Sequence, residues 1–402
     1  MHIIGDTGAL PSSLSDTLRT NLGAAQDAAK AFGKKRRQSD DKITADNQQS
    51  LSSFLFNEKD SPLFNNLQSD KEKSQAIEFA KMLHIPLGTE LENISLDYFG
   101  YENNFAGTDG IPEGGFTRLI TELAKEVGSY GGEIQLGKVV EKVVNLGQGK
   151  GVQVEILEEG SHGKQTTIQA KTAIVTIPLA VLKEKSRDFF EPLLDAKMQD
   201  AINRTSVGNL NKVLLTYKEP WWPLDAGTFI ILPTKMNNTP NSGGLKDIFA
   251  STTLIVNSLC ASGTGLPTQL TSPSLLIMIG ASSAKELENF SRLEVAQALD
   301  DYISPRLSDN TKNKNDIPLK HTFYSRWAKQ DFTKGATTTP VVIGASPSDF
   351  TTLATPLWNN SLYFAGEHCE VNHRGSVAGA VVSAQTTSDR VLRHLSTPAA
   401  KH

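Results

Sequence analysis

Few complete sets of reactive side chains can be found in the 402-residue sequence. It holds no H-E-x-x-H, no paired-histidine metal spacing, no P-loop and no G-x-S-x-G. The eight histidines are scattered, which argues against a metal site, and GTGLPTQ from Gly263 does not complete a phosphate-binding fingerprint. The strongest chemical signal is Ser361–Leu395, SLYFAGEHCEVNHRGSVAGAVVSAQTTSDRVLRHL. It reads as a short apolar strand, a polar loop and a long helix whose first turns carry Gly375, Ser376, Ala378, Gly379 and Ala380. So bare a helix start lets backbone N–H groups approach an electron-rich partner at the positive dipole end. Tight helix–sheet packing would ask for the same small residues.

Three more segments carry residues of interest. In VGNLNKVLLTYKEPWW (Val207–Trp222), Lys212 sits on the strand NKVLLTY, ahead of the Trp221–Trp222 pair. By itself it reads better as a surface lysine on a strand edge. In YSRWAKQDFTKGATTT, Trp327 and Phe332 precede Gly335, Ala336 and Thr337. Large aromatics beside a glycine suit walls for a planar ring, although two core residues would need no ligand. The run EGGFTRLITELAKE, IQLGKVVEKV and AIVTIPLAVL reads as an amphipathic helix launched from a Gly-Gly turn, a hairpin strand and a buried strand.

In this order and spacing, the four segments resemble the flavin-dependent amine oxidases, a family that includes polyamine oxidases and lysine-specific histone demethylases. The resemblance covers about residues 94–395. It implies FAD as cofactor. The ribityl and pyrophosphate side would be met by Gly366 and Glu367, the flavin pyrimidine edge by Ser376 and Val377, and the adenine by the backbone at Val140. Lys212 would hold a water against flavin N5, as the catalytic residue, with Trp327 beside the ring and Phe332, Ala336 and Thr337 facing substrate. Thr337 stands where relatives often carry a tyrosine, so an aromatic cage for a cationic amine would lack one wall. The implied reaction oxidises a carbon–nitrogen bond of a (poly)amine to an imine, with hydride passing to flavin N5 and O2 reoxidising the flavin to give hydrogen peroxide. An amino acid or a histone lysine as substrate, and an inactive relative that only binds partners, remain alternatives.

These residues need elements to hold them. Strands interleaved with helices indicate an α/β chain. By resemblance it is an FAD-binding fold interleaved with a mixed-sheet α+β substrate domain. Residues 1–105 (helical) and 186–330 are assigned to the substrate part, and 106–185 and 331–402 to the FAD part. No G-x-G-x-x-G occurs, so the dinucleotide-binding βαβ unit that opens the family fold is expected to be absent. The fold would then be N-terminally incomplete, with weak FAD binding and a raw sheet edge that a partner chain could cover. With 40 basic and 44 acidic residues, charge suggests no nucleic-acid partner. GKKRRQ at Gly33–Gln38 reads as a solvated helix end, with a nuclear address or a nucleic-acid patch as the alternative. No apolar run approaches membrane-spanning length, and no signal peptide is recognisable. Two distant cysteines, Cys260 and Cys369, exclude a disulfide framework and suit a cytoplasmic protein, with a nuclear or peroxisomal location as alternatives.

Overall fold

A computed structural model describes residues 1–102, 110, 112, 114–147, 149–158, 165–234, 244–260, 271–308, 314 and 317–396. GTGLPTQ and the expected boundary at 105/106 lie outside these residues. The chain forms two units: Met1–Tyr101, Ile177–Lys183 and Asp200–Phe350 make the first, and Glu102–Thr176, Glu184–Gln199 and Thr351–His402 the second.

The first unit is built on a seven-stranded mixed sheet. Its order runs Leu319–Tyr324, Leu210–Tyr217, Ser274–Gly280, Leu254–Ser258, Thr228–Ile231, His2–Gly5, Gly8–Ala9. The apolar, β-branched runs NKVLLTY, TFII and SLLIMIG supply the interior strands, as their composition leads one to expect. His2–Gly5 pairs in parallel with Thr228–Ile231, so the polar N-terminal stretch, read as helices and loops, contributes a strand. Both faces of the sheet are packed. Ile4, Val213, Leu215 and Ile277 join a core with the helices Ala281–Leu287 and Arg292–Leu307. Ile3, Ile230 and Ile255 join a second core with Ser12–Gln38 and Asp70–Ala80. Alternation along one strand thus feeds two cores.

The basic cluster at the end of Ser12–Gln38 is only partly solvated. Arg36 Nε pairs with the fully buried Asp97 carboxylate at 2.9 Å, and Arg37 Nη1 donates to the Asp97 carbonyl at 2.6 Å.

In the second unit, Lys138–Asn145 and Val152–Glu158 form the expected hairpin, extended by Gln165–Ala170 and by Phe190–Glu191. A separate parallel pair joins Ala173–Val175 to Leu362–Phe364. The AIVTIP strand was expected to be buried, yet Ile174 faces solvent, because this two-stranded sheet covers only one of its faces. The helix Gly115–Ser129 is launched from Gly114, held at φ 78° where only glycine is unstrained. Its apolar stripe of Phe116, Leu119, Ile120, Leu123 and Val127 is solvent-exposed along its length.

Candidate active site

The two units each carry five of the ten residues singled out from sequence. In the first, Lys212 lies on Leu210–Tyr217, where alternation buries Asn211 and Val213 and leaves Lys212 exposed. Its backbone is clamped to the next strand: Lys212 N donates to Ser325 Oγ at 2.8 Å, and Ser325 N donates to the Lys212 carbonyl at 3.0 Å. Trp327 follows two residues later and is 39% exposed. The turn behind it closes on itself, since the Trp327 carbonyl accepts from Thr333 Oγ1 at 2.7 Å. Phe332 is 70% exposed and packs into neither core of this unit. Ala336 N donates to the Gly208 carbonyl at 2.9 Å, and Thr337 pairs with Gly208, two residues before the Lys212 strand begins. The structure therefore gathers Lys212, Trp327, Ala336 and Thr337 around the start of one strand.

Gly88 explains part of that arrangement. It sits at φ 72°, and a Cβ there would come within 3.0 Å of Gly208 Cα and 3.4 Å of the Thr337 methyl. Two glycines let the backbones close up at this point.

In the second unit, Gly366, Glu367, Ser376 and Val377 come together where the strand Leu362–Phe364 turns towards the terminal helix, Val377–Ser396. Gly366 takes φ 152°, and any Cβ there would collide with the His368 ring at 2.6 Å. Glu367 Oε2 accepts from Gly375 N at 2.6 Å, fixing the loop ahead of the helix. Ser376 Oγ accepts from Gly379 N at 2.9 Å and donates to the His373 carbonyl at 2.6 Å, a serine cap on the first turn. The N–H groups of Val377 and Ala378 have no acceptor among the described residues, and both residues are exposed. The helix is docked farther along, where Ser383 Oγ accepts from Gly366 N at 3.1 Å and Thr387 Oγ1 donates to the Phe364 carbonyl at 3.0 Å. Val140 stands apart, on the hairpin strand opposite Ile156 and beside a bulge.

Burial shapes the titratable groups around this loop. It pushes the His368 imidazole below its ordinary value, and His368 Nε2 has no hydrogen-bond partner among the described residues. The Cys369 thiol is pushed far up by burial, with the Glu367 carboxylate adding to the effect, so it is inert as a nucleophile. No group of His, Cys, Asp or Glu able to hold a metal ion occurs among the described residues.

The residues present suit the ring end of FAD. An exposed helix start with free N–H groups, held by a glycine-dependent loop, would meet an electron-rich ring edge. Taken by itself, the first unit offers an exposed lysine and an exposed tryptophan, residue types suited to meeting a flavin.

Sequence inspection passed over Glu288, Asn211 and Ser325. All three are buried and hydrogen-bonded in a chain behind Lys212 and Trp327. None carries a motif; Asn211 alone gave a hint, as a polar residue on the inward face of an apolar strand. The WW pair that ends the Lys212 segment belongs to the core. Trp221 and Trp222 stack edge-on at 5.4 Å with Tyr217 alongside, and Trp222 Nε1 donates to Ser258 Oγ at 2.9 Å.

The model of the flavin containing amine oxidoreductase family matches residues 8–392. A possible lysine-specific histone demethylase 1 of Drosophila melanogaster is 26% identical over 327 residues, which cover 75% of this chain and 33% of that protein. Polyamine oxidase 5 of Oryza sativa subsp. japonica is 26% identical over 310 residues, covering 77% and 54%. Polyamine oxidase 3 of the same plant is 29% identical over 310 residues, covering 76% and 54%. The chain thus spans between a third and about half of the length of these curated relatives. Among solved structures, cyclohexylamine oxidase from Brevibacterium oxydans IH-35A shares the fold with a TM-score of 0.66 and 15% identity, over 98% of this chain and 81% of that one. With an α/β fold shared with that oxidase and a family match along nearly its whole length, the chain belongs to the flavin containing amine oxidoreductases, whose cofactor is FAD.

Proposed function

We propose that the chain serves a flavin-dependent oxidation of an amine carbon–nitrogen bond, with a (poly)amine as substrate and O2 as the final acceptor. The observation that carries this reading is the bare start of the terminal helix, with the Val377 and Ala378 N–H groups unpaired beside the Glu367 loop. The relatives named polyamine oxidases support the substrate class. Bound flavin supplies the hydride acceptor and is reoxidised by O2.

The protein's part is binding, orientation and proton placement. The Ser376–Ala378 backbone holds the pyrimidine edge, and Glu367 keeps that backbone in place through Gly375. Val140 offers backbone contacts to the adenine. Lys212 Nζ, exposed and without a protein partner among the described residues, would hold a water beside the flavin and pass a proton. Trp327 and Phe332 wall the substrate, while Ala336 and Thr337 shape its floor. A threonine at 337 gives little cation–π attraction, which suits an amine that must be neutral to react.

The test is to purify the full chain with FAD supplied and mix it anaerobically with a polyamine, cyclohexylamine, an amino acid and a methylated-lysine peptide. Bleaching of the flavin band by the polyamine, with peroxide formed on readmitting air, is the expected result. Bleaching by the peptide alone would move the substrate to histone lysine. Bound flavin that no amine reduces would leave a binding protein.

A further inference from the structure

Glu288 closes a buried link between the two parts of the first unit that carry Lys212 and Trp327. It follows the helix Ala281–Leu287 and is only 1% exposed. Its Oε1 accepts from Ala328 N at 3.1 Å, and its Oε2 accepts from Lys329 N at 2.9 Å, so one carboxyl group staples the turn that follows Trp327. Oε1 also accepts from Asn211 Nδ2 at 2.9 Å. Asn211 precedes Lys212, and its other contacts continue the chain: Nδ2 donates to the Ala284 carbonyl at 2.8 Å, and Oδ1 accepts from Ser325 Oγ at 3.1 Å. Ser325 Oγ in turn accepts from Lys212 N at 2.8 Å. The Glu288 backbone adds one more tie, its carbonyl accepting from Arg326 Nη2 at 2.9 Å.

A buried carboxyl group is costly unless its acceptor sites are filled, and here protein donors fill them. Those donors come from two segments 117 residues apart, at Asn211 and Ala328. If only one were held, a neutral side chain would serve. We propose that Glu288 is a positioning residue, locking the Trp327 turn to the Lys212 strand so that both side chains keep one mutual geometry. The proposal deepens the amine-oxidation reading and rests on it for the roles of Lys212 and Trp327.

Glu288→Gln keeps the shape but turns an NH2 group towards N–H donors, so at least one backbone amide loses its acceptor. Hydrogen exchange of the FAD-loaded full chain reads this directly. The peptide spanning Arg326–Lys334 should exchange about 5- to 100-fold faster in the variant, with the strand Ser274–Gly280 unchanged. Exchange at the wild-type rate overturns the proposal. Anaerobic flavin reduction by amine is the second readout. Its rate constant should fall at least about tenfold, and the fall should shrink in a Lys212→Met background, as coupled positions require. Faster exchange with unchanged flavin reduction would leave Glu288 a turn staple and overturn the positioning role. If no amine reduces the wild-type flavin, the oxidation reading fails, and the exchange arm still judges the link. Should Glu288→Gln not fold, Ser325→Ala removes the link of the chain next to Lys212, and the same two outcomes decide.

Discussion

Replacing Gly379 by alanine puts the most demanding local geometry of the second unit to the test. An ideal Cβ at Gly379 would lie 2.0 Å from the His373 carbonyl oxygen and 2.7 Å from its carbon, whereas ordinary contact begins near 3.4 Å. Both colliding atoms are backbone, so no rotamer change relieves them. His373 cannot retreat freely, because its carbonyl accepts from Ser376 Oγ and the loop is tied again by Glu367 to Gly375. The start of the terminal helix must therefore move by about an ångström, an overpacking expected to cost about 1–3 kcal/mol. That corresponds to about 2–4 °C in Tm for each kcal/mol in a unit of this size. The displaced groups are the Val377 and Ala378 N–H donors, so flavin affinity should fall by about tenfold or more, the worth of one or two hydrogen bonds to a charged or polarised edge. Gly23→Ala is the control. It lies in the helix Ser12–Gln38 with nothing within 4 Å of its Cβ, and should stabilise by about 0.4–1 kcal/mol. The assays are thermal unfolding by circular dichroism and FAD titration by quenching of flavin fluorescence. A Gly379→Ala protein that melts with the wild type and binds FAD as tightly would refute the reasoning.

Three other outcomes follow from the same contacts. Lys212→Met should slow flavin reduction or reoxidation by about 10²–10⁴-fold, the range for a positioned proton-transfer group, without moving the melting curve; stopped-flow absorbance decides it. Glu367→Ala releases Gly375 N and should lower FAD retention on gel filtration while the loaded fraction turns over normally; undiminished retention would assign Glu367 to loop structure alone. Burial holds the His84 and His368 imidazoles below their ordinary value, so the unfolded chain protonates them first. The stability that their neutral forms allow is complete above about pH 6.5 and is lost as pH falls from there through the lowered folded values. His368→Asn should flatten the dependence of unfolding free energy on pH in that window, measured by urea titration, and an identical slope would place the proton uptake elsewhere.

How far the sequence announces this structure depends on the range over which each feature is decided. Leu210–Tyr217 is legible because alternation and β-branching are written within eight residues. The terminal helix is legible for a similar reason, its small first turn following directly on an apolar strand. His2–Gly5 was not, since four residues ending in glycine become a strand only by pairing with Thr228–Ile231, more than two hundred positions away. The helix Gly115–Ser129 shows a different limit. Spacings of three and four revealed its stripe, but a period reports that one face is apolar and says nothing of what covers it.

The candidate site divides along the same line. Gly366, Glu367, Ser376 and Val377 occupy one short segment, and their mutual contacts are local, so a pattern of residue types can represent them. Lys212 and Trp327 lie more than a hundred residues apart, and what aligns them is not a property of any one segment. It is the buried chain from Ala328 through Glu288 and Asn211 to Ser325, in which each member is an ordinary polar residue until folding removes water from around it. Once water is gone, each unsatisfied donor or acceptor would cost more than the hydrogen bond itself contributes, so the chain holds all of its members or none. That asymmetry lets three unremarkable side chains fix the geometry of the residues that would face the flavin. It also predicts that substitutions along the chain act together rather than one by one.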